Sequence, residues 1–198
     1  MARIIELLKS ALLAGIAISI GCIVNLKVGD YLGPILFSFG LITVVHYKLG
    51  LYTGTAGFVQ GQRDLLDMLF ILLGNIIGCL FMAILASCAL PDIIGKCDNI
   101  YDIRHQCNAT SLLILSSFCG FIMTTAVTFA RKDKYLPLLF GVPLFILSGF
   151  YHSIADAFYL SCALVSGHGD ASIATSYILI VLGNFIGCNL YRIIMWKK

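Results

Sequence analysis

Charge is scarce in this chain. Aspartate, glutamate, lysine and arginine together make only 12% of its 198 residues, while 60% are hydrophobic. A water-soluble domain of this size cannot carry that composition, with a mean hydropathy of +0.97, without exposing far more apolar surface than water tolerates. Basic residues are also too few, 13 against 10 acidic ones, to form a nucleic-acid footprint. Arg131-Lys132-Asp133-Lys134 is a short cluster of the kind that faces lipid headgroups. The eight cysteines contain no C-x-x-C pair and no Cys/His spacing that would ligate a metal. A nucleophile elbow and a phosphate-binding loop are likewise missing, so nothing calls for a metal or a cofactor. The solvent that fits this composition is a lipid bilayer.

Long apolar runs are what the chain has in abundance. Ala11–Leu26, Leu32–Tyr47, Leu65–Leu90, Ala109–Ala130, Leu136–Val165 and Ile173–Met195 read as six helical spans of a hydrocarbon core about 30 Å thick. The hexapeptide Gly-Asn-x-Ile-Gly-Cys occurs at Gly74 to Cys79 and again at Gly183 to Cys188. Upstream of each copy stands a second echo, Pro34-Ile35-Leu36-Phe37 and Pro137-Leu138-Leu139-Phe140. The chain is therefore expected to be a single transmembrane domain made of two copies of one unit, 1–95 and 104–198. With three spans each, the second copy enters the membrane from the opposite side, which makes the repeats inverted and puts a pathway where the halves meet.

Basic residues set the orientation. With both termini inside, Arg3, Lys9, Arg63, Arg131, Lys132, Lys134, Arg192, Lys197 and Lys198 are cytoplasmic. Only Lys27, Lys96 and Arg104 are outside, and Lys48 lies at or near membrane depth. The apolar N-terminus is read as an uncleaved first span, because no A-x-A-type site follows it and Ser19-Ile20-Gly21 before Cys22 is a poor lipoprotein box.

The second and fifth spans are interrupted. Gly50-Leu51-Tyr52-Thr53-Gly54-Thr55 breaks one, and Ser148-Gly149 with His152-Ser153 breaks the other, Asp156 following. Non-helical backbone at membrane depth is tolerated only where it lines a cavity or is buried in protein, so both breaks are expected to face one pathway. An ionisable residue there is costly and is read as functional by default, which singles out His152 and, one helical turn on, Asp156. Lys48 either snorkels to the interface or draws anions into a vestibule. Gly74, Gly78, Gly183 and Gly187 form small-residue steps for close helix packing. Asn75 and Asn184, inside those steps, are expected to hydrogen-bond the broken segments. Six cysteines in or beside the spans read as small hydrophobes. Cys97 and Cys107, between the third and fourth spans, are the pair placed to form a disulfide if that side is oxidising.

Phe37-Ser38-Phe39-Gly40-Leu41, Leu51-Tyr52-Thr53-Gly54, Gly74-Asn75-Ile76-Ile77-Gly78, Ser148-Gly149-Phe150-Tyr151-His152-Ser153-Ile154-Ala155-Asp156 and Gly183-Asn184 follow one another in the order and spacing of a known family. In these segments the chain resembles the formate/nitrite transporter family over nearly its whole length. The resemblance implies an all-α integral membrane protein of aquaporin-like architecture, with six helices of which the second and fifth are broken. It also implies a homopentamer in a cell inner membrane, each protomer passing small monovalent weak-acid anions such as formate, nitrite or hydrosulfide. By the same resemblance His152 is the central proton donor, and Leu51, Tyr52, Thr53, Thr124, Ser153 and Asp156 line the pathway. The cytoplasmic constriction maps to Leu41, Leu51 and Tyr52, and the outer one to Phe37, Phe145 and Val127. Asp156 and Thr124 stand where the family commonly has asparagine.

The expected mechanism follows from cost. A bare anion in an apolar constriction is expensive and its conjugate acid is not, and histidine is the side chain that exchanges protons near neutrality. Thr53 and Ser153 would supply hydroxyls, and Asp156 would be protonated or paired, Lys48 being one partner considered. A channel for a neutral, urea-like solute is the alternative, and an enzyme using His152 and Asp156 as an acid/base pair or a passive scaffold are the readings from other classes.

Overall fold

The computed structural model describes residues 2–195, and every regular element among them is helical. Lys197 and Lys198, counted above for orientation, lie outside the described residues. The elements are α1 (Ala2–Val28), α2 (Leu32–His46), α3 (Tyr52–Thr55) continued by a 3₁₀ turn (Ala56–Phe58), α4 (Gln62–Ala89), α5 (Pro91–Gln106), α6 (Ala109–Ala130), α7 (Leu136–Leu147), α8 (Ser153–Ser166) and α9 (Ile173–Ile194). Four of them, α1, α4, α6 and α9, are long and apolar enough to cross a membrane. Helices α2, α7 and α8 are apolar but shorter. Large side chains such as Leu66, Leu73, Phe81, Phe140 and Ile193 are exposed around the bundle, as lipid-facing surface requires. The chain is a multi-pass membrane protein.

Two helix pairs carry the scaffold, α1 on α4 and α6 on α9. Both depend on glycine at the contact. A Cβ at Gly78 would run into the carbonyl of Leu12, and one at Gly187 into the carbonyl of Ser117. The helix backbones therefore touch, which in lipid gives dispersion contact without a hydrophobic driving force. Helix α2 packs on α1 and α7 on α6, and α2 and α7 pack on each other. α8 lies against α4 and α5.

The segment between the scaffold pairs, read from sequence as a loop, is the helix α5. Pro91 occupies its first turn with Asp92, and Arg104 and His105 its last, so helix entry geometry and dipole both favour it. That helix excludes the Cys97–Cys107 disulfide. Ten residues of α-helix separate the two α-carbons by about 15 Å, far beyond the roughly 7 Å a disulfide spans. All eight cysteines are free.

Candidate functional site

The two interruptions are built alike. α2 ends with Lys48 in the left-handed region (φ 53°), its N–H on Val45 O and the N–H of Leu49 on Val44 O. α7 ends with Gly149 at φ 69°, its N–H on Ile146 O and the N–H of Phe150 on Phe145 O. Both are Schellman terminations, followed by extended residues, Leu51 and His152, that start α3 and α8. Leu51 and His152 thus hold the same place in the two breaks.

One asparagine fixes each extended stretch. Asn75 of α4 accepts from Tyr52 N (3.0 Å) and donates to Gly50 O (2.8 Å) and Ala11 O (2.7 Å). Asn184 of α9 accepts from Ser153 N (2.8 Å) and donates to Tyr151 O (2.8 Å) and Ser116 O (2.7 Å). Each amide therefore ties a break to both helices of its own scaffold pair. The last residue of each hexapeptide reaches across instead: Cys79 Sγ donates to Ile154 O (3.4 Å) and Cys188 Sγ to Thr53 O (3.6 Å). By sequence alone these thiols read as small hydrophobes. Their equal spacing after the asparagines was the signal available.

His152 is 2% exposed and lies against the other break, at Thr53. Its Nδ1 accepts the N–H of Ala155 (3.2 Å), capping α8, and its Nε2 lies 3.0 Å from Thr53 Oγ1. An acceptor role at Nδ1 leaves the ring proton on Nε2, so the neutral imidazole donates to Thr53. Phe145 stacks on the ring at 5.4 Å, and Phe37 packs edge-on against Phe145 at 6.0 Å. Leu41, Leu51 and Tyr52 belong to the same buried apolar cluster. Tyr52 is anchored away from the break, its hydroxyl donating to Val181 O at 3.0 Å. Ser153 Oγ and Thr124 Oγ1 are buried without a hydrogen-bond partner among the described residues. Thr124 stands over Gly57, where an added Cβ would meet its side chain at 2.8 Å.

Two placements, that of Val127 and the partner of Asp156, differ from the sequence expectation. Val127, grouped there with Phe37 and Phe145, shares with Leu51 the wall of a cavity of about 560 Å³ that Lys48 and Arg131 also line. It lies near the C-terminal end of α6, which ends at Ala130 just before Arg131, so it belongs to that vestibule. Asp156 is paired, but with Arg104 of α5 (Nε to Oδ1, 2.7 Å), while Lys48 lines the vestibule. Asp156 makes no side-chain bond to His152, which leaves no acid/base pair between them. Arg104 was visible in the sequence only as an outer-loop charge, and a partner 52 residues away carries no local signal. Arg131, likewise counted only for orientation, donates to Gly54 O at 2.7 Å and covers the Phe58 ring at 4.0 Å.

A two-part break closed by paired asparagines around a central histidine reproduces the order of segments noted in the sequence, and the sequence profile described as "Formate/nitrite transporter" matches residues 1–196. The chain belongs to the formate/nitrite transporter family. Family relatives include the nitrite transporter NirC of Salmonella typhimurium, 26% identical over an alignment covering 88% of this chain and 76% of that protein. Formate-nitrite transporter 3 of Toxoplasma gondii is 31% identical over 63% of this chain, which spans only 28% of that longer protein. Among solved structures, a pentameric formate channel with formate bound superposes with a TM-score of 0.84 at 21% identity, over 98% of this chain and 96% of that one. An FNT family ion channel gives 0.82 at 19% identity, over 94% and 87%. At these identities the likeness establishes the fold of the family member.

Proposed function

We propose that this protein is a channel for small monovalent weak-acid anions of the formate, nitrite or hydrosulfide class, passed between two apolar constrictions with proton exchange at His152. The observation that carries the reading is the imidazole itself. It is buried where two helix breaks converge, stacked on Phe145 and bonded through Nε2 to the Thr53 hydroxyl. Phe37 and Phe145 form the narrow apolar part on one side of it, and Leu41, Leu51 and Val127 that on the other, above the vestibule.

The geometry constrains the proton step. With Nδ1 engaged by Ala155 N, a resting imidazolium would set two N–H groups against each other, so the ring holds a single proton, on Nε2. An arriving anion accepts hydrogen bonds from the Thr53–His152 couple and the free Ser153 hydroxyl. It takes the Nε2 proton through Thr53 as a proton from the vestibule water replaces it on Nε2, and leaves as its conjugate acid with the imidazole neutral again. Desolvating the neutral acid is far cheaper than desolvating the ion.

The architecture proposed around this pathway is six spans in two inverted three-helix repeats, 1–95 and 104–198, the second span being α2 with α3 and the fifth α7 with α8. The like construction of the breaks supports it. Lys and Arg distribution favours both termini in the cytoplasm and residence in a cell inner membrane. The solved formate channel of this fold is pentameric, and a homopentamer with one pathway per protomer is the assembly proposed here.

The test is formate, nitrite and hydrosulfide influx into proteoliposomes across about pH 5 to 8, where the supply of protons to the neutral imidazole changes. His152→Phe is expected to lower the flux at least about tenfold and flatten its pH dependence. Wild-type rate and pH profile in that variant would refute the mechanism.

A further inference from the structure

We propose that Arg104 is a positioning residue for the pathway: from α5 it holds the residues on both sides of His152, and it does so by neutralising Asp156, not by drawing in the anion. The inference rests on the transport reading above.

One side chain makes both contacts. The Arg104 Nε donates to Asp156 Oδ1 at 2.7 Å, and its guanidinium carbon lies 3.9 Å from the centre of the Tyr151 ring. Tyr151 immediately precedes His152, and the N–H of Asp156 is bonded to His152 O at 2.8 Å. The guanidinium therefore grips the end of the break and the first turn of α8 together, with His152 between them. Asp156 is 1% exposed and Arg104 13%. A carboxylate so deeply buried persists only when paired, and removing one partner of such a pair is far worse than removing both.

The helix that presents Arg104 is itself tied down at several points. Lys27 of α1 donates to Asp92 at 2.6 Å, and Ser166 of α8 to Asp98 at 3.0 Å. His168 lies 3.0 Å from Asp102, and the hydroxyl of Tyr101 accepts from Asp170 N at 3.2 Å. Beyond Arg104, Cys107 Sγ touches the Tyr151 hydroxyl at 3.6 Å. α5 is thus a strap fixed to α1 and to the α8–α9 connection, delivering one charge at a defined place. A cation that served to collect anions from solution would be left accessible, as Lys48 is at the other end.

The two roles separate in a charge cycle of Arg104→Gln, Asp156→Asn and the double variant, measured as formate influx in proteoliposomes and as thermal unfolding in detergent. Arg104→Gln is expected to lower maximal flux about tenfold, with the half-saturating formate concentration changed by less than about twofold. Its unfolding temperature should fall by roughly 5 °C or more. The double variant, in which neither charge is left alone, should return to within about threefold of wild-type flux and recover the unfolding temperature. Wild-type flux in Arg104→Gln overturns the proposal, as does a loss that appears in half-saturation and persists in the double variant. If Arg104→Gln does not fold, the double variant and Arg104→Lys decide: both should fold and transport, and failure of both overturns it. Should the wild-type protein carry neither formate nor nitrite, the transport reading falls by itself. The unfolding cycle still judges the clamp, because additive losses in the double variant would refute it.

Discussion

Asn184 spends one amide on three bonds, to Ser153 N, Tyr151 O and Ser116 O, all inside the protein where no water can replace them. Replacing it by leucine keeps the volume and strips the partners, leaving a buried donor and two carbonyls to find others. The expected cost is roughly 2–4 kcal/mol, read as a lower unfolding temperature in detergent. An unchanged midpoint would mean that the amide positions nothing. Asn75→Leu should behave the same way at Tyr52 and Gly50. At the surface the scale is smaller. His168 is held by Asp102, whose hydrogen bond and charge, with Asp98 behind it, raise the imidazole above its ordinary 6.5. A raised folded value means that the pair's contribution is complete below the unfolded value near 6.5 and fades as pH climbs through the folded one. NMR titration should find His168 above 6.5 in the wild type and back near it in Asp102→Asn. A midpoint at or below that value in the wild type would contradict the contact.

The breaks are where elements, not single side chains, decide. Gly149 ends α7 in the left-handed region with nothing within 4 Å of where a Cβ would stand, so Gly149→Ala meets no clash and isolates the backbone term. That term is about 1–2 kcal/mol, a drop of about 3–6 °C in unfolding temperature, and a midpoint unmoved by the substitution would show that the left-handed turn is not retained. The equivalent turn already carries Lys48 at φ 53°, so the fold tolerates that strain once. Glycines and hydroxyl residues in an apolar run made both breaks legible in the sequence, and so did the small-residue steps that bring α1 to α4 and α6 to α9. What stayed hidden has a common cause. The helix α5 lacks an apolar stripe long enough to register, and only its end signals, Pro91 with Asp92 and Arg104 with His105, marked it. The Arg104–Asp156 pair and the vestibule position of Val127 depend on how distant segments meet, and no local spacing encodes that.

At the scale of the whole molecule, the two ends of the proposed pathway are electrostatically unlike. At the end opposite α5, the vestibule of about 560 Å³ is lined by Lys48 and Arg131 against a single carboxylate, Asp133. Arg131 is committed to Gly54 O and the Phe58 ring, whereas Lys48 is exposed. Its charge is therefore available to raise the local anion concentration, an effect that reaches about 30 Å at 0.01 M salt and only about 8 Å at 0.15 M. Lys48→Gln removes that charge while leaving a side chain with the same backbone demands at φ 53°. Formate uptake from the vestibule side should fall about threefold at low ionic strength and by much less at 0.15 M salt. A loss of equal size at every salt concentration would assign Lys48 to the packing of the break, and no loss at all would leave the vestibule charge without a part in anion capture.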